Sequence, residues 1–382
     1  MKMNKHYNEL KASYLFVDIA HKVAAYQEAH PEKEIIRLGI GDVTQPLAKC
    51  VVDAMHDAVT EMGTKEGFHG YGPEQGYPFL KQAIQGYYAG RGTKLDEDEI
   101  FISDGAKSDL ANVLGLFDVD NTVLVPDPVY PTYVDDNVTD GRKIIYGRTS
   151  QENGFLGMPD DSVKADIIYI CSPNNPTGAL MDEALLRGVA KIAGACGAWV
   201  LCDEAYRGLN HAPYGENFAP AMADLYEKGV SVGTFSKTFS LAGLRLGWVA
   251  APEELIERIN RRRDYNTISC GKIDDYLAAL AIHSREALLR RNLKIVADNA
   301  AVLDAWVQSE PRISYVRPKA GTTAFLKYDA PVDSVTFCKQ LLEKTGVMLL
   351  PGAAMDMEGW LRIGYCFAED TTALRKGLAL VS

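Results

Sequence analysis

The stretch Val230-Ser-Val-Gly-Thr-Phe-Ser-Lys237 is an apolar run that breaks into hydroxyl residues and ends at a lysine. A second apolar run earlier in the chain, Trp199-Val-Leu-Cys-Asp203, ends in a carboxylate, and Tyr206 follows it closely. Almost continuously apolar runs are typical of parallel strands that are covered on both faces of a sheet. Because ligands bind such sheets at the carboxyl ends of the strands, the two runs predict an amine, a carboxylate and a phenol at one sheet edge.

Three further apolar runs have the same character and end in similar breaker residues. They extend from Thr122 to Val125, from Asp166 to Cys171 and from Leu246 to Ala250. Helical patterns lie between the runs, for example from Glu183 to Cys196, ahead of the strand that ends at Asp203. Since strands and helices alternate, we predict an α/β fold with a mostly parallel sheet in a large domain over residues 41–252.

The pattern changes after Pro252. A charged helix is predicted from Glu253 to Arg263 and a long helix from Ser284 to Gln308. An apolar stripe at helical spacing on the long helix predicts core packing; it consists of Leu289, Leu293, Val296, Ala300, Leu303 and Val307. Shorter segments follow, from Thr322 to Lys327, Ser334 to Lys344, Val347 to Leu350 and Trp360 to Tyr365. We therefore predict a smaller α+β domain over residues 253–382, which an amino-terminal arm over residues 1–40 partly completes.

The composition describes an ordinary soluble enzyme. The chain has 382 residues, with 47% hydrophobic and 24% charged residues, enough for two domains with substantial cores. A net charge of −11 argues against nucleic acid or an anionic membrane as the main partner. We see neither a signal-peptide pattern nor a run long enough to span a membrane, and the seven histidines lack metal-binding spacing. A cytoplasmic enzyme without a metal is expected.

The residues gathered at the predicted sheet edge match the needs of one cofactor, pyridoxal 5′-phosphate. Lys237 can form an imine with its aldehyde, Asp203 can pair with its ring nitrogen and Tyr206 can contact its ring oxygen. Hydroxyl groups and a guanidinium suit its phosphate, and nearby candidates are Thr234, Ser236 and Arg245. We therefore predict a pyridoxal-phosphate enzyme.

The motifs together resemble the aspartate aminotransferase superfamily, the class I/II enzymes of pyridoxal-phosphate fold type I. The resemblance rests on Ser172-Pro-Asn-Asn-Pro-Thr-Gly178, on Ser236-Lys237 with Arg245, and on Leu361-Arg-Ile-Gly364. It implies that Lys237, Asp203 and Tyr206 are catalytic. The other residues that it assigns to the cofactor are Tyr130, which stacks on the ring, Asn175 at the ring oxygen, and Gly105, Ala106, Lys107, Thr234, Ser236 and Arg245 at the phosphate.

The same resemblance implies a homodimer and a substrate site. Tyr71 matches a tyrosine that crosses the dimer interface to the partner's phosphate. Arg362 matches the arginine that binds the substrate α-carboxylate, and Gly41 and Asn175 lie at the same end of that pocket.

The amino-terminal half resembles LL-diaminopimelate aminotransferases, a family of lysine biosynthesis. The matching stretches include Ile36-Arg-Leu-Gly-Ile-Gly-Asp-Val-Thr-Gln-Pro46, Gly70-Tyr-Gly-Pro-Glu-Gln-Gly-Tyr77 and Ile102-Ser-Asp-Gly-Ala-Lys107. In that family the residues matching Tyr14, Lys107 and Glu74 shape the substrate pocket. Glu74 could grip a distal ammonium group, as a diamino acid requires, or could simply be a structural turn residue.

The carboxyl-terminal half is similar to generic aminotransferases and to relatives of the capreomycidine-synthase type, which act on arginine-derived substrates. The stretches concerned are Arg263 to Gly271, Pro318 to Phe325 and Met355 to Trp360. Both resemblances favour an amino acid with a basic distal group. Three functions remain open: an aminotransferase, a pyridoxal-phosphate cyclase or β/γ-lyase, and a non-enzymatic sensor.

Overall fold

The computed structural model describes residues 2–10, 15–39, 41, 45–157, 162–213, 219–366 and 370–382. Its strands, in chain order from β1 to β13, are Ile36–Arg37, Ile100–Ser103, Thr122–Asp127, Lys143–Arg148, Ile167–Cys171, Trp199–Asp203, Gly229–Thr234, Gly247–Ala250, Ile313–Tyr315, Thr323–Tyr328, Val347–Met348, Leu350–Pro351 and Trp360–Gly364. Its helices, from α1 to α12, are Leu15–Ala29, Lys49–Met62, Pro78–Ala89, Ala106–Leu114, Thr132–Asp140, Glu183–Cys196, Met222–Leu225, Glu253–Arg263, Lys272–His283, Arg285–Ser309, Ser334–Thr345 and Thr372–Val381. The predicted α/β class is confirmed.

A seven-stranded sheet in the order β2-β8-β7-β6-β5-β3-β4 forms the centre of the structure. Strands β3 to β7 are mutually parallel, whereas β8 runs antiparallel to both β7 and β2. The chain turns back from β7 into β8 without a crossover helix, so β8 must reverse its direction. That short return carries Lys237, which therefore lies at the carboxyl end of β7.

The strands of this sheet are apolar because both faces are covered. Every residue of β5 and β7 is buried, as predicted for parallel strands between layers of helices. One face packs around Phe235, Trp248 and Tyr87, and the other packs around Val123, Tyr169 and residues of α4 and α8. This double burial fixes the register of the strands, and with it the place where each strand ends.

A second, antiparallel sheet has the order β12-β13-β10-β9, and β1 pairs in parallel with β11. The predicted strand from Val347 to Leu350 is thus two short strands, because β11 pairs with β1 and β12 pairs with β13. The division of the chain into domains at residues 40 and 252 stays a prediction.

Helix α10 supplies much of the core beside the second sheet. Leu289, Val296 and Leu303 of the predicted stripe are buried, whereas Leu293, Ala300 and Val307 are half-buried. Two asparagines, Asn292 and Asn299, share the buried face. Within the described ranges, every helix is too short or too polar to cross a membrane.

Candidate active site

A cavity of about 900 Å³ opens where β5, β6 and β7 end. It brings together most of the side chains that the sequence predicts as functional, although these come from distant parts of the chain. The predicted residues that line it are Gly41, Ala106, Lys107, Tyr130, Asn175, Asp203, Tyr206, Thr234, Ser236, Lys237, Arg245 and Arg362. The cavity has the size of a site for a small-molecule cofactor and substrate.

Asp203 is the buried carboxylate of this cavity. Its Oδ2 accepts a 2.5 Å hydrogen bond from the Tyr133 hydroxyl, and its Oδ1 accepts a 2.8 Å bond from the Ala205 N–H. Burial raises the pKa of Asp203, while these hydrogen bonds and the nearby Lys237 amine act to lower it. The carboxylate is therefore held in one orientation, and a cation placed beside it would favour its ionised form.

Arg362 reaches the cavity from β13 and is almost fully buried. Its Nη1 donates to the Asn175 side-chain oxygen at 3.1 Å, and its Nη2 donates to the Gly39 carbonyl oxygen at 2.7 Å. These bonds fix the plane of the guanidinium. A fixed guanidinium in a buried pocket suits a carboxylate ligand, which it can bind through two parallel hydrogen bonds.

Gly41 lies beside Arg362 and Tyr206. The Tyr206 hydroxyl donates to the Gly41 carbonyl oxygen at 2.8 Å. A Cβ atom at position 41 would lie only 2.7 Å from the Thr323 methyl group and 3.2 Å from the Tyr206 oxygen. Only glycine therefore fits at this point of the cavity wall.

An anion cradle forms at the start of α4. Gly105 precedes the helix with φ of +124°, and a Cβ atom there would lie 2.8 Å from an Arg245 nitrogen. The backbone can thus approach the guanidinium only at a glycine. Backbone N–H groups at the start of a helix suit an anion, and the Thr234 and Ser236 hydroxyls, 3.0 Å apart, line the same cavity.

Ser103 and Asp109 brace this cradle from behind. The buried Ser103 hydroxyl donates to Asp109 Oδ2 at 2.5 Å and accepts a 3.3 Å bond from the Gly105 N–H. Burial raises the pKa of Asp109 to about 8, although Ser103 and the more distant Arg263 lower it and Asp104 raises it. Asp109 is therefore a neutral acid at neutral pH and does not repel an anion in the cradle.

The raised pKa of Asp109 predicts a loss of stability as the pH rises. Folded protein keeps the Asp109 proton up to about pH 8, whereas the unfolded chain releases it near pH 4, so folding becomes less favourable across that interval. Replacing Asp109 by asparagine should remove up to about 4 kcal/mol of the pH dependence between pH 5 and 8. Thermal unfolding of both proteins across this range tests the prediction, and equal slopes would contradict it.

Three predicted residues that the structure describes, Gly105, Tyr71 and Glu74, are not among the residues that line the cavity, although Gly105 directly precedes Ala106, which does. Tyr71 is 87% exposed, and Glu74 is exposed with its backbone carbonyl bonded to Arg263. Tyr14 lies outside the described residues. The roles of Tyr71 and Glu74 would thus require a second subunit.

The structure adds residues that the sequence patterns did not single out. Tyr133 is buried against Asp203 and stacks on Tyr169, with ring centroids 5.1 Å apart. Arg37 and one face of α1, including Gln27 and Glu28, line the outer part of the cavity. Tyr133 follows Tyr130 closely at the start of α5, and that spacing was the one sequence signal for a role at the site. A buried tyrosine at this position is, however, equally typical of core packing.

These features fit pyridoxal 5′-phosphate. The cradle that only Gly105 allows beside Arg245 suits its phosphate, and the oriented Asp203 carboxylate suits its ring nitrogen. Tyr206 and Lys237 line the same cavity and suit its ring oxygen and its aldehyde carbon. The residues present therefore fit this cofactor.

Comparison with known proteins gives the same answer. An LL-diaminopimelate aminotransferase of Agathobacter rectalis is 44% identical over 394 residues, covering 95% of each chain. One of Parabacteroides distasonis is 36% identical over 388 residues, covering 94% of each chain. Both similarities extend through the carboxyl-terminal half.

Solved structures agree on the fold. The LL-diaminopimelate aminotransferase of Chlamydomonas reinhardtii matches all of this chain and 98% of its own, with a TM-score of 0.87 and 28% identity. The predicted fold type I architecture is thus confirmed. Residues 33–378 match the family described as aminotransferase class I and II. The chain therefore belongs to the class I and II aminotransferases, pyridoxal-phosphate enzymes that transfer amino groups.

Proposed function

We propose that this aminotransferase takes the amino group of LL-diaminopimelate and passes it to a 2-oxo acid. The observation that carries the proposal is the similarity, at 35% to 44% identity, to relatives named for that activity over almost the whole chain. The cavity is consistent with it, because its volume of about 900 Å³ can hold a cofactor together with an amino acid.

The donor would be oriented by its α-carboxylate. Arg362 is buried, and its plane is fixed by Asn175 and Gly39, so it can bind a carboxylate through two hydrogen bonds. A carboxylate bound there would direct the rest of the donor along the cavity. The outer part is lined by Arg37, Gln27 and Glu28. Arg37 could pair with the distal carboxylate of a diamino diacid, and Glu28 could pair with its distal ammonium group.

Lys237 would move the proton in this reaction. When bound, the cofactor supplies an electron sink for the pair left on the donor's α-carbon. The Lys237 amine would remove the proton from that carbon. It would later return a proton to the cofactor carbon that is joined to the donor's nitrogen. Asp203 holds a proton at the ring nitrogen, and the Tyr133 and Ala205 bonds keep its carboxylate in place for that task. Tyr206, which lines the same cavity, would contact the ring oxygen when the cofactor is bound.

We also propose a homodimer in which Tyr71 and Glu74 serve the partner's site. Exposed aromatic side chains lie on their segment and on a second one: Phe68 is 65% and Tyr265 91% exposed, and Tyr276 is also exposed. The two segments are adjacent, because the Gly72 N–H donates to the Ser269 hydroxyl at 3.2 Å. Large exposed aromatic groups clustered on one face are typical of an interaction surface.

Mixed dimers test this arrangement. Two inactive variants, Lys237→Ala and Tyr71→Ala, would be unfolded together, refolded and assayed. If Tyr71 acts across the interface, one site of each mixed dimer has both native residues and regains activity. If Tyr71 acts within its own subunit, each site lacks one residue and the mixture stays inactive, which would refute the crossing.

The cytoplasmic location of the protein stays a prediction.

Replacing Glu74 by glutamine should weaken the use of a diamino donor. The neutral amide cannot pair with a distal ammonium group, so kcat/KM for LL-diaminopimelate should fall by about 10- to 100-fold. The values for aspartate and tyrosine, which lack that group, should change by less than about threefold. Glu66→Gln, at another exposed glutamate, is the control. Equal losses for every donor would contradict a role in gripping the ammonium group.

A donor panel tests the proposed substrate directly. The cofactor-loaded protein, without any oxo acid, would be mixed with LL-diaminopimelate, arginine, lysine, glutamate, aspartate or tyrosine. Stoichiometric conversion of the bound cofactor to its amino form is expected with LL-diaminopimelate at the highest rate. Faster conversion by another donor would overturn the substrate. Release of ammonia or a cyclic product with the cofactor unchanged would overturn the transfer reaction itself.

A further inference from the structure

The backbone on either side of Lys237 has no regular secondary structure, yet it is firmly anchored. Phe235 and Phe239 flank the lysine, are fully buried and pack against each other with ring centroids 5.5 Å apart. The Leu241 N–H donates back to the Phe235 carbonyl oxygen at 3.2 Å. We call residues 235–241 the lysine turn. These contacts hold its ends, and within it the Ser240 N–H donates to the Lys237 carbonyl oxygen at 3.3 Å.

Thr238, the residue after the lysine, is held by a short hydrogen bond. Its hydroxyl donates to the Arg207 carbonyl oxygen at 2.6 Å, and its side chain is buried. A Cβ atom at Gly208 would lie 3.1 Å from the Thr238 methyl group, so the two turns are in close contact. Because Arg207 follows Tyr206 directly, this bond joins the turn that carries the lysine to the turn that carries the phenol.

The Arg207 side of this bond is itself immobile. Arg207 pairs with Glu204, with Nη1 and Oε2 3.3 Å apart, and both side chains are buried. Ser231 donates to the other Glu204 oxygen at 2.7 Å, and Tyr88 donates to Oε2 at 3.2 Å. The carbonyl that receives the Thr238 hydroxyl therefore belongs to a rigid buried cluster next to Asp203.

Asn292 holds the other side of Thr238. It lies on α10 in the core beside the second sheet, is fully buried, and its Nδ2 donates to the Thr238 carbonyl oxygen at 2.8 Å. Its Oδ1 accepts a 3.1 Å bond from the Arg291 Nε. A buried amide of this kind is costly unless it is paired, so its pairing with the lysine turn is a specific feature of the packing.

We propose that Thr238 and Asn292 are positioning residues for the transfer reaction, which fix the backbone at Lys237 so that its amine reaches the reacting carbon. Thr238 sets the lysine turn relative to Tyr206, and Asn292 sets it relative to α10. Neither residue lines the cavity, so both act through Lys237. The inference rests on the transferase reaction but not on the identity of the donor.

The consequence is a specific loss of proton transfer. An error of about 1 Å in the position of a reacting group can cost about 100-fold in rate. Removing the Thr238 hydroxyl should therefore lower the rate constant of the amino-transfer half-reaction by about 10- to 100-fold. The donor concentration at half-saturation and the affinity for the cofactor should stay within about twofold, because Arg362 and the anion cradle are untouched.

Two matched pairs of variants test the proposal. Thr238→Val removes the hydroxyl at nearly constant volume, and Thr238→Ser retains it. Asn292→Leu removes the amide donor, whereas Asn299→Leu removes another buried asparagine of α10 whose Nδ2 donates to the Ile295 carbonyl oxygen of its own helix at 2.9 Å. Single-turnover rates would be measured with the donor that the wild type converts fastest in the panel. Failure of the diaminopimelate proposal would thus leave this test intact.

The outcomes separate positioning from general destabilisation. We expect slow half-reactions for Thr238→Val and Asn292→Leu, with an α-deuterium isotope effect at least as large as that of the wild type. Thr238→Ser and Asn299→Leu should retain rates within about threefold of the wild type. The proposal is overturned if the valine and leucine variants keep the wild-type rate, if their isotope effect shrinks, or if their losses follow lost cofactor or a lower fraction of folded protein.

Discussion

Lys237→Ala is expected to abolish amino transfer, with a loss in kcat of about 10⁴-fold or more. The lysine lies near the start of the return from β7 to β8, lines the cavity and lies close enough to Asp203 to lower its pKa. Alanine removes the group that links to the cofactor and the group that moves the α-proton. The two roles belong to different steps of the reaction, and one substitution removes both.

The cofactor itself should still bind to this variant. Arg245, Thr234, Ser236 and the start of α4 remain, and they hold the phosphate without the lysine. Absorbance of the mixture should thus resemble the free aldehyde, and a small added amine should restore part of the activity by replacing the lost base. Lys228→Ala, at a half-buried lysine outside the cavity whose amine donates to the Gly197 carbonyl oxygen, is the control. Wild-type turnover by Lys237→Ala would remove the basis for the whole mechanism.

Much of this site could be predicted because its residues lie at or just after the ends of strands. Asp203 ends β6, Asn175 follows β5 and Lys237 follows β7, and a buried parallel strand is visible in sequence as a continuous apolar run. Arg362 is different, since it lies within β13 and only its resemblance to a family motif predicted its role. The reversed direction of β8 was hidden, because an apolar run carries no direction.

The parts that could not be predicted depend on tertiary contacts between distant residues. Tyr133, Thr238 and Asn292 are polar side chains in buried positions, and nothing in their local sequence says which partner satisfies them. Asn292 even lies on the same helix face as the predicted apolar stripe, where a polar residue reads as an irregularity. The cost of burying an unpaired amide is the reason such residues have partners, but the partners appear only in three dimensions.

Asp203→Asn is expected to lower kcat by about a thousandfold. A charge pair at about 4 Å in a partly buried site is worth about 4 kcal/mol, and that energy corresponds to about three orders of magnitude in rate. The asparagine fills the same space: its single oxygen can still accept from the Ala205 N–H, while the Tyr133 hydroxyl meets the Nδ2 group and accepts from it instead of donating. It cannot hold a proton at the ring nitrogen, and electron withdrawal from the donor's α-carbon weakens accordingly.

Two comparisons isolate the charge from the packing. Asp275→Asn, at another buried carboxylate that does not line the cavity, should keep near-wild-type kcat. Asp203→Glu retains the charge but displaces it, so its kcat should fall between those of the wild type and the asparagine variant. A loss of less than about tenfold for Asp203→Asn, with cofactor fully bound, would show that the carboxylate charge contributes little to the transition state. The stabilisation of the transition state would then have to come from the oriented Arg362 and from Lys237 alone.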